Sequence, residues 1–238
     1  MSDAFVLPSA GPDPIALDTA LAAVLGYARG RRPLYFRAPN AQTGRWVQIP
    51  AFGYERFDVR PGATGPLGEP DILLAEGLHG RLDPDAWAAM KARLDDVRPL
   101  FESVVDRAAG RRFEQLPDDE FSVLAEPGTV GARLREIGTD KHVTAALHHR
   151  RPDLFPLTVR TTRWQLLPHV REGDSGPAAV VHREVVANAD AFAALREEVA
   201  ARGVELTVLR LHDVLLWLSG SLRLTHAVAL RHDDVELR

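Results

Sequence analysis

The segment ELTVLRLHDVLLWLSG, residues 205–220, is the most apolar stretch of the chain, yet it carries Arg210, His212 and Asp213 in its middle. Its length and the closing Gly220 predict a helix, although Val, Leu and Trp would also suit a buried strand. A segment this apolar has to lie at the centre of the fold, and it carries a carboxylate there with it. Asp213 must then be paired or must hold a raised pKa. Two readings follow: a buried ion pair with an arginine, or an active-site acid or base.

Around this segment the apolar spacing is helical almost throughout. A helix is expected from Asp13-Pro14, with a stripe at Ile15, Leu17, Leu21, Val24 and Leu25 that ends near Gly26–Gly30. Two alternating runs flanking Asn40–Gly44 predict a β-hairpin. Residues 58–70, rich in Gly and Pro, read as a loop. PDILLAEGLHG makes a short helix, and Asp83-Pro84 starts a longer one that Pro99 breaks or kinks. LPDDEFSVLAEPG supplies another short helix, and NADAFAALREEVAARG an amphipathic one capped by Asn188 or Asp190. The organisation expected is a loose tail over residues 1–12, then one mostly helical domain over 13–238. Within it, 13–57 form an N-terminal helix and hairpin section, and 70–238 a helical body.

Composition narrows the chemistry. With 238 residues and 45% hydrophobic content, the chain can bury a sizeable core. It has no cysteine, which excludes disulfides, thiolate nucleophiles and cysteine-held metals. No apolar run approaches the roughly 20 residues of a membrane span. The start, Met1-Ser2-Asp3, lacks the basic and apolar regions of a signal peptide, so a cytoplasmic protein is expected. The formal charge of −4 argues against a generally basic surface but allows a local basic patch. Lys91 and Lys141 are the only lysines among 29 basic residues.

Lys141 falls within IGTDKHVTAALHHRRPDLFPLTVRTTRW, residues 137–164, where candidate binding residues concentrate. Gly138 permits a tight turn, Thr139-Asp140 start a new helix, and the free amides there could meet a phosphate. The bland alternative is an ordinary helical hairpin stopped by a glycine. Arg150, Arg151, Arg160 and Arg163 form the densest basic cluster, readable as an anion site or as cations complementing a helix C-terminus. His142, His148 and His149 share one helix, and with no carboxylate near them they read as solvated or phosphate-facing rather than as metal ligands. Trp46, Trp87, Trp164 and Trp217 read as core residues, except that Trp164 follows the arginines and could line a cleft.

REIGTDKHVTAALHHRRPDLFPLTVRTTRW resembles the hairpin region of the helix–hairpin–helix DNA glycosylases. More closely, the chain is similar to an actinobacterial family defined by domain of unknown function 6308. HHRRPDLFPL, LRLHDVLLW, YERFD and PDILLAEGL carry that likeness, which covers most of residues 15–218. The resemblance implies a mainly α, helix–hairpin–helix glycosylase-like domain with a small N-terminal β-hairpin, gripping a phosphate backbone without reading bases. Three positions depart from the glycosylase pattern. Thr158 stands where the glycosylases carry a catalytic Asp, Glu136 replaces the first turn glycine, and Lys141 lies three residues after Gly138 rather than two. Ordinary glycosylase chemistry is therefore not expected.

The leading expectation is nucleic-acid binding through Gly138, Thr139, Lys141, His142, Arg150, Arg151, Arg160, Arg163 and Trp164, without metal or cofactor. The alternative is a small-molecule enzyme in a repurposed cleft, with Lys141, His142 and Asp213 doing the chemistry beside Thr158. A third is an interaction protein without catalysis. The enzyme reading turns on whether Lys141, Thr158 and Asp213 converge on one pocket.

Overall fold

The computed structural model describes residues 4–116, 141–221 and 223–231. Among these the protein is mainly helical, with a small two-stranded N-terminal hairpin. Short strands β1 (Ala4–Phe5) and β2 (Ile15–Ala16) pair antiparallel and lead into helix α1 (Leu17–Arg29). Strands β3 (Arg31–Phe36) and β4 (Arg45–Pro50) form the predicted hairpin. Helices α2 (Glu69–His79) and α3 (Pro84–Ala108) follow. After residue 140 come α4 (Lys141–Arg150), α5 (Arg160–Leu166), α6 (Pro177–Ala187) and α7 (Ala189–Ala200). The last two are α8 (Val208–Gly220) and α9 (Leu224–Leu230).

The apolar segment is α8, and it occupies the centre, packed against α1, α5, α6, α7 and α9. Thr207 caps it by accepting from the Arg210 amide at 3.3 Å, and the Thr207 hydroxyl donates to the Pro152 carbonyl at 2.7 Å. Its buried Leu209, Leu211, Val214, Leu215, Leu216 and Leu218 each contribute roughly 1.5–3 kcal/mol. That driving force is large enough to carry Arg210 and Asp213 inside with them. The α1–α9 crossing is closer than side chains allow: a Cβ on Gly26 would lie 1.7 Å from the Ala227 carbonyl oxygen.

The buried apolar residues form two clusters. One gathers α1, α6, α7, α8 and α9 around Phe5, Phe192 and Leu215. The other gathers α2, α3 and α4 around Ile72, Leu94 and Leu147. Residues of both clusters line the cleft described below.

Several sequence expectations need correction. Residues 4–12 are no loose tail. Phe5 and Leu7 are buried, and the Asn188 side chain accepts from the Val6 amide and donates to the Val6 carbonyl, clamping the segment. Asn188 thus precedes α7 as expected, but its side chain is spent on the N-terminal strand rather than on a cap. The first helix starts at Leu17 rather than near Asp13, because β2 takes up Ile15 and Ala16. Helix α3 runs through Pro99 unbroken. A mid-helix proline costs about 3 kcal/mol, but Leu94, Val97, Phe101 and Val104 are buried on both sides of it and hold the helix together. The arginine-rich connection after Thr158 is partly helical, as α5, and α6 was not anticipated. Gly138, Thr139, Glu136 and the helix expected in LPDDEFSVLAEPG lie outside the described residues.

Candidate functional site

Arg210 lies where the central helix meets the loop after β4. Its Nε donates to Asp58 Oδ1 at 2.6 Å and its Nη2 to the Tyr27 hydroxyl at 2.6 Å, while Nη1 is ion-paired with Asp213. The Tyr27 hydroxyl donates in turn to Asp58 Oδ2 at 2.5 Å. The side chains of Arg210, Asp58 and Asp213 are only 5%, 3% and 7% exposed. One buried cation therefore serves two buried carboxylates, an excess of one negative charge. Asp213 bears the consequence: burial, only partly offset by Arg210, pushes its carboxyl up to about 6. Burial likewise raises the Tyr27 hydroxyl well above its ordinary range. Asp213 is thus ion-paired with an arginine, as the first sequence reading has it, and its pKa is raised as well.

Asp213 also opens on a cleft of about 360 Å³, lined by Tyr27, Phe52, His79, Lys141, Arg160 and Trp217 among others. Asp213 Oδ1 is buried without a hydrogen-bond partner, and so is His79 Nε2. Burial first, then the neighbouring His142 and Lys141, pull the His79 imidazole down to about 3, so it is neutral at ordinary pH. Asp213 and His79 thus both line this aromatic-walled cleft, each with one buried polar atom left without a partner, and a buried group left this way costs about 1–3 kcal/mol. Around them stand four exposed cations, Arg56, Lys141, Arg160 and Arg223. None is paired with a carboxylate among the described residues; Lys141 Nζ donates to the His79 carbonyl at 3.3 Å, and Arg223 lies over the Trp217 ring.

The candidates named from sequence separate cleanly. Lys141, Asp213 and Arg160 share the cleft, whereas Thr158 is not among its lining residues, although its neighbours Leu157 and Val159 are. His142 is buried with Nε2 against the Gly80 carbonyl at 3.0 Å, which removes it from the chemistry proposed for it. His148 is also buried, its Nδ1 on the Phe155 carbonyl, and His149 Nε2 meets the Phe57 carbonyl, so neither is solvated or phosphate-facing. Arg150 is not available to an external phosphate. Its five N–H groups are spent on Asp71 and on the Ala63, Gly65 and Pro66 carbonyls, which pins the 58–68 loop. Arg151 forks onto Asp153. Arg163 is half-buried on α5 beside the cleft-lining Arg160. Trp164 is 65% exposed, four residues after Arg160 and so on the same helical face.

Sequence reasoning missed Arg56, His79, Tyr27 and Arg223. Arg56 and Tyr27 carried no local signal, because only the tertiary fold brings them to α8. Trp87 and Trp217 are packed as expected, but Trp46 is 70% exposed, contrary to the core reading. No cluster of His and carboxylates able to hold a metal occurs among the described residues, and no helix there is long and apolar enough to cross a membrane. Comparison with protein-family models, with curated proteins and with solved structures found no match.

Proposed function

We propose that this protein binds nucleic acid, with the phosphate backbone held by Arg56, Lys141, Arg160 and Arg223 and a base received in the cleft beneath them. The observation that carries this reading is an aromatic-walled cleft with a cationic mouth, whose lining includes Asp213 and His79, each with a buried polar atom that has no partner. A bare phosphate would satisfy the cations but would be repelled by Asp213. A nucleobase supplies what the floor lacks, namely ring and amino N–H groups for the carboxylate and imidazole, and a face for Tyr27, Phe52 or Trp217. The likeness of residues 135–164 to the glycosylase hairpin supports the same reading. In it the helical body is a glycosylase-like helix–hairpin–helix domain whose missing aspartate at Thr158 removes ordinary glycosylase chemistry.

The test is anisotropy titration of a fluorescein-labelled 20-nucleotide DNA in 50 mM KCl. Saturable binding weakened at least about fivefold by Arg160→Glu is expected. Absence of saturable binding at that salt removes the reading.

A second reading rests on the same unpaired oxygen. A carboxyl with its proton poised near pH 6, in a cleft shared with Lys141, suits acid–base or Schiff-base chemistry on a small carbonyl compound. Borohydride trapping of a carbonyl substrate, lost in Lys141→Ala, would favour it; no adduct removes its Schiff-base form.

A further inference from the structure

The β3–β4 hairpin leaves the body directly after α1 and returns through Ala51 and Phe52, both of which line the cleft. All six residues of β3 are exposed, so the hairpin is not part of either core. Large apolar side chains there have no folding role to explain them, yet Tyr35 is 51% and Phe36 49% exposed, alongside the exposed Trp46. Isolated exposed hydrophobics are ordinary, but a group of them on one element marks a contact surface.

The register sorts them. Tyr35 lies opposite Trp46 and Phe36 opposite Arg45, so each pair shares a face. On one face Tyr35 and Trp46 meet edge to face with ring centroids 5.3 Å apart. The Tyr35 hydroxyl accepts from the Gly44 amide at 2.9 Å, and a Cβ on Gly44 would collide with the ring, so the turn holds this aromatic in place. On the other face Arg32, Leu34, Phe36 and Arg45 lie together.

Charge selects the partner. Residues 31–50 contain four arginines and no carboxylate, in a chain of net charge −4, so the hairpin is +4 and the remaining 218 residues are −8. Arg31 is neutralised by Glu55. Arg32 and Arg45 have no such partner among the described residues, and Arg37 donates only to the Ala41 carbonyl of the turn. The surface therefore fits a polyanion with flat apolar faces. A lipid surface would require the apolar groups at the hairpin's end, where they could insert. Here the outermost residues, the turn 37–44, are Arg-Ala-Pro-Asn-Ala-Gln-Thr-Gly, and the aromatics lie behind it in the last two pairs of the strands.

We infer that the β3–β4 hairpin is a stacking platform for single-stranded nucleic acid, which it leads toward the cationic cleft. The inference rests on the nucleic-acid reading of that cleft and adds the strandedness of the ligand. Bases must be unstacked to lie against Trp46 and Tyr35 on one face or Phe36 on the other, which a duplex does not offer. Arg45, next to Trp46 in β4, and Arg32, on the Phe36 face with it, meet the backbone as it wraps the two-stranded ribbon.

The experiment compares Trp46→Ala, Trp46→Phe, Arg45→Glu and Arg160→Glu in anisotropy titrations with single-stranded and duplex 20-mers in 50 mM KCl. Trp46→Ala is expected to weaken the single strand roughly five- to a hundredfold, Trp46→Phe by less, and the duplex to bind more weakly than the single strand throughout. If both Trp46→Ala and Arg45→Glu bind as the wild type while Arg160→Glu is impaired, the platform is overturned and the cleft reading stands. Loss in the hairpin variants with Arg160→Glu unaffected upholds the platform and removes the cleft. Hairpin-dependent binding to phosphatidylserine vesicles, or hairpin-dependent dimers, without oligonucleotide binding overturns the inference.

Discussion

Replacing Arg210 with Met tests how the seam between the two clusters is held. The substitution keeps most of the side-chain volume but removes the one cation facing Asp58 and Asp213, both nearly inaccessible to water. Removing one partner of a buried ion pair costs about 3–5 kcal/mol, since the remaining charge stays buried and unpaired. Here two carboxylates are stranded, so the upper part of that range is expected at pH 7. Asp213→Asn should cost less, about 1–2 kcal/mol, because Arg210 and Asp58 remain as a balanced pair. The pH dependence adds a second, independent sign. Asp213 in the wild type takes up its proton only below about pH 6, and without Arg210 it does so at higher pH. Between those values the native variant binds more protons than its unfolded chain, so its stability rises as pH falls. The deficit relative to wild type should therefore narrow, by on the order of 1 kcal/mol, between pH 7 and pH 5. Urea unfolding followed by circular dichroism at both pH values reads this directly. A deficit under about 1 kcal/mol at pH 7, or one unchanged at pH 5, would refute the buried-network account.

Three further outcomes follow from the same geometry. Arg150→Met strands the fully buried Asp71 and frees the 58–68 loop, so it should lose about 3–5 kcal/mol in urea unfolding while leaving the oligonucleotide affinity of folded protein unchanged. Burial, reinforced by Arg210, pulls the His148 imidazole down to about 4, so the unfolded chain binds more protons between about pH 4 and 6.5 and stability falls as pH drops through that window. His148→Gln should shed on the order of 3 kcal/mol of that acid loss, seen as a flatter dependence of the urea midpoint on pH. Gly26→Ala places a methyl against the Ala227 carbonyl, where backbone cannot yield cheaply, and should cost roughly 1–3 kcal/mol, read as a lowered Tm.

What the sequence made legible was local. The Asp83-Pro84 start of α3 is a short-range signal, and the structure has Asp83 Oδ1 accepting from the Ala86 amide at 2.8 Å. The β3–β4 hairpin and the apolar α8 were likewise carried by spacing within one segment. Asp213 stood out because a carboxylate in such a segment has to be explained. The rest depended on partners distant in sequence. Arg150 looked like an anion ligand because its own neighbours are basic, but its acceptors, Asp71 and the loop carbonyls, lie about 80 residues earlier. Pro8 and the glycine-flanked N-terminus suggested a loose tail, because nothing local reveals that Asn188 and Glu184 would bind Val6 and Ser9. His79 was invisible for the same reason, since its role comes from the cleft it lines and not from its helix.

The central claim, that the cationic cleft grips a nucleic-acid backbone, is tested most directly by the salt dependence of single-strand binding. Each neutralised phosphate contributes about −0.7 to the slope of log K against log salt concentration, so Arg56, Lys141, Arg160 and Arg223 together give about −3, steepened by the hairpin arginines. The account predicts that slope for wild type and a reduction of at least about 0.7 in Arg160→Glu. A slope near zero, or one that Arg160→Glu leaves unchanged, would contradict it.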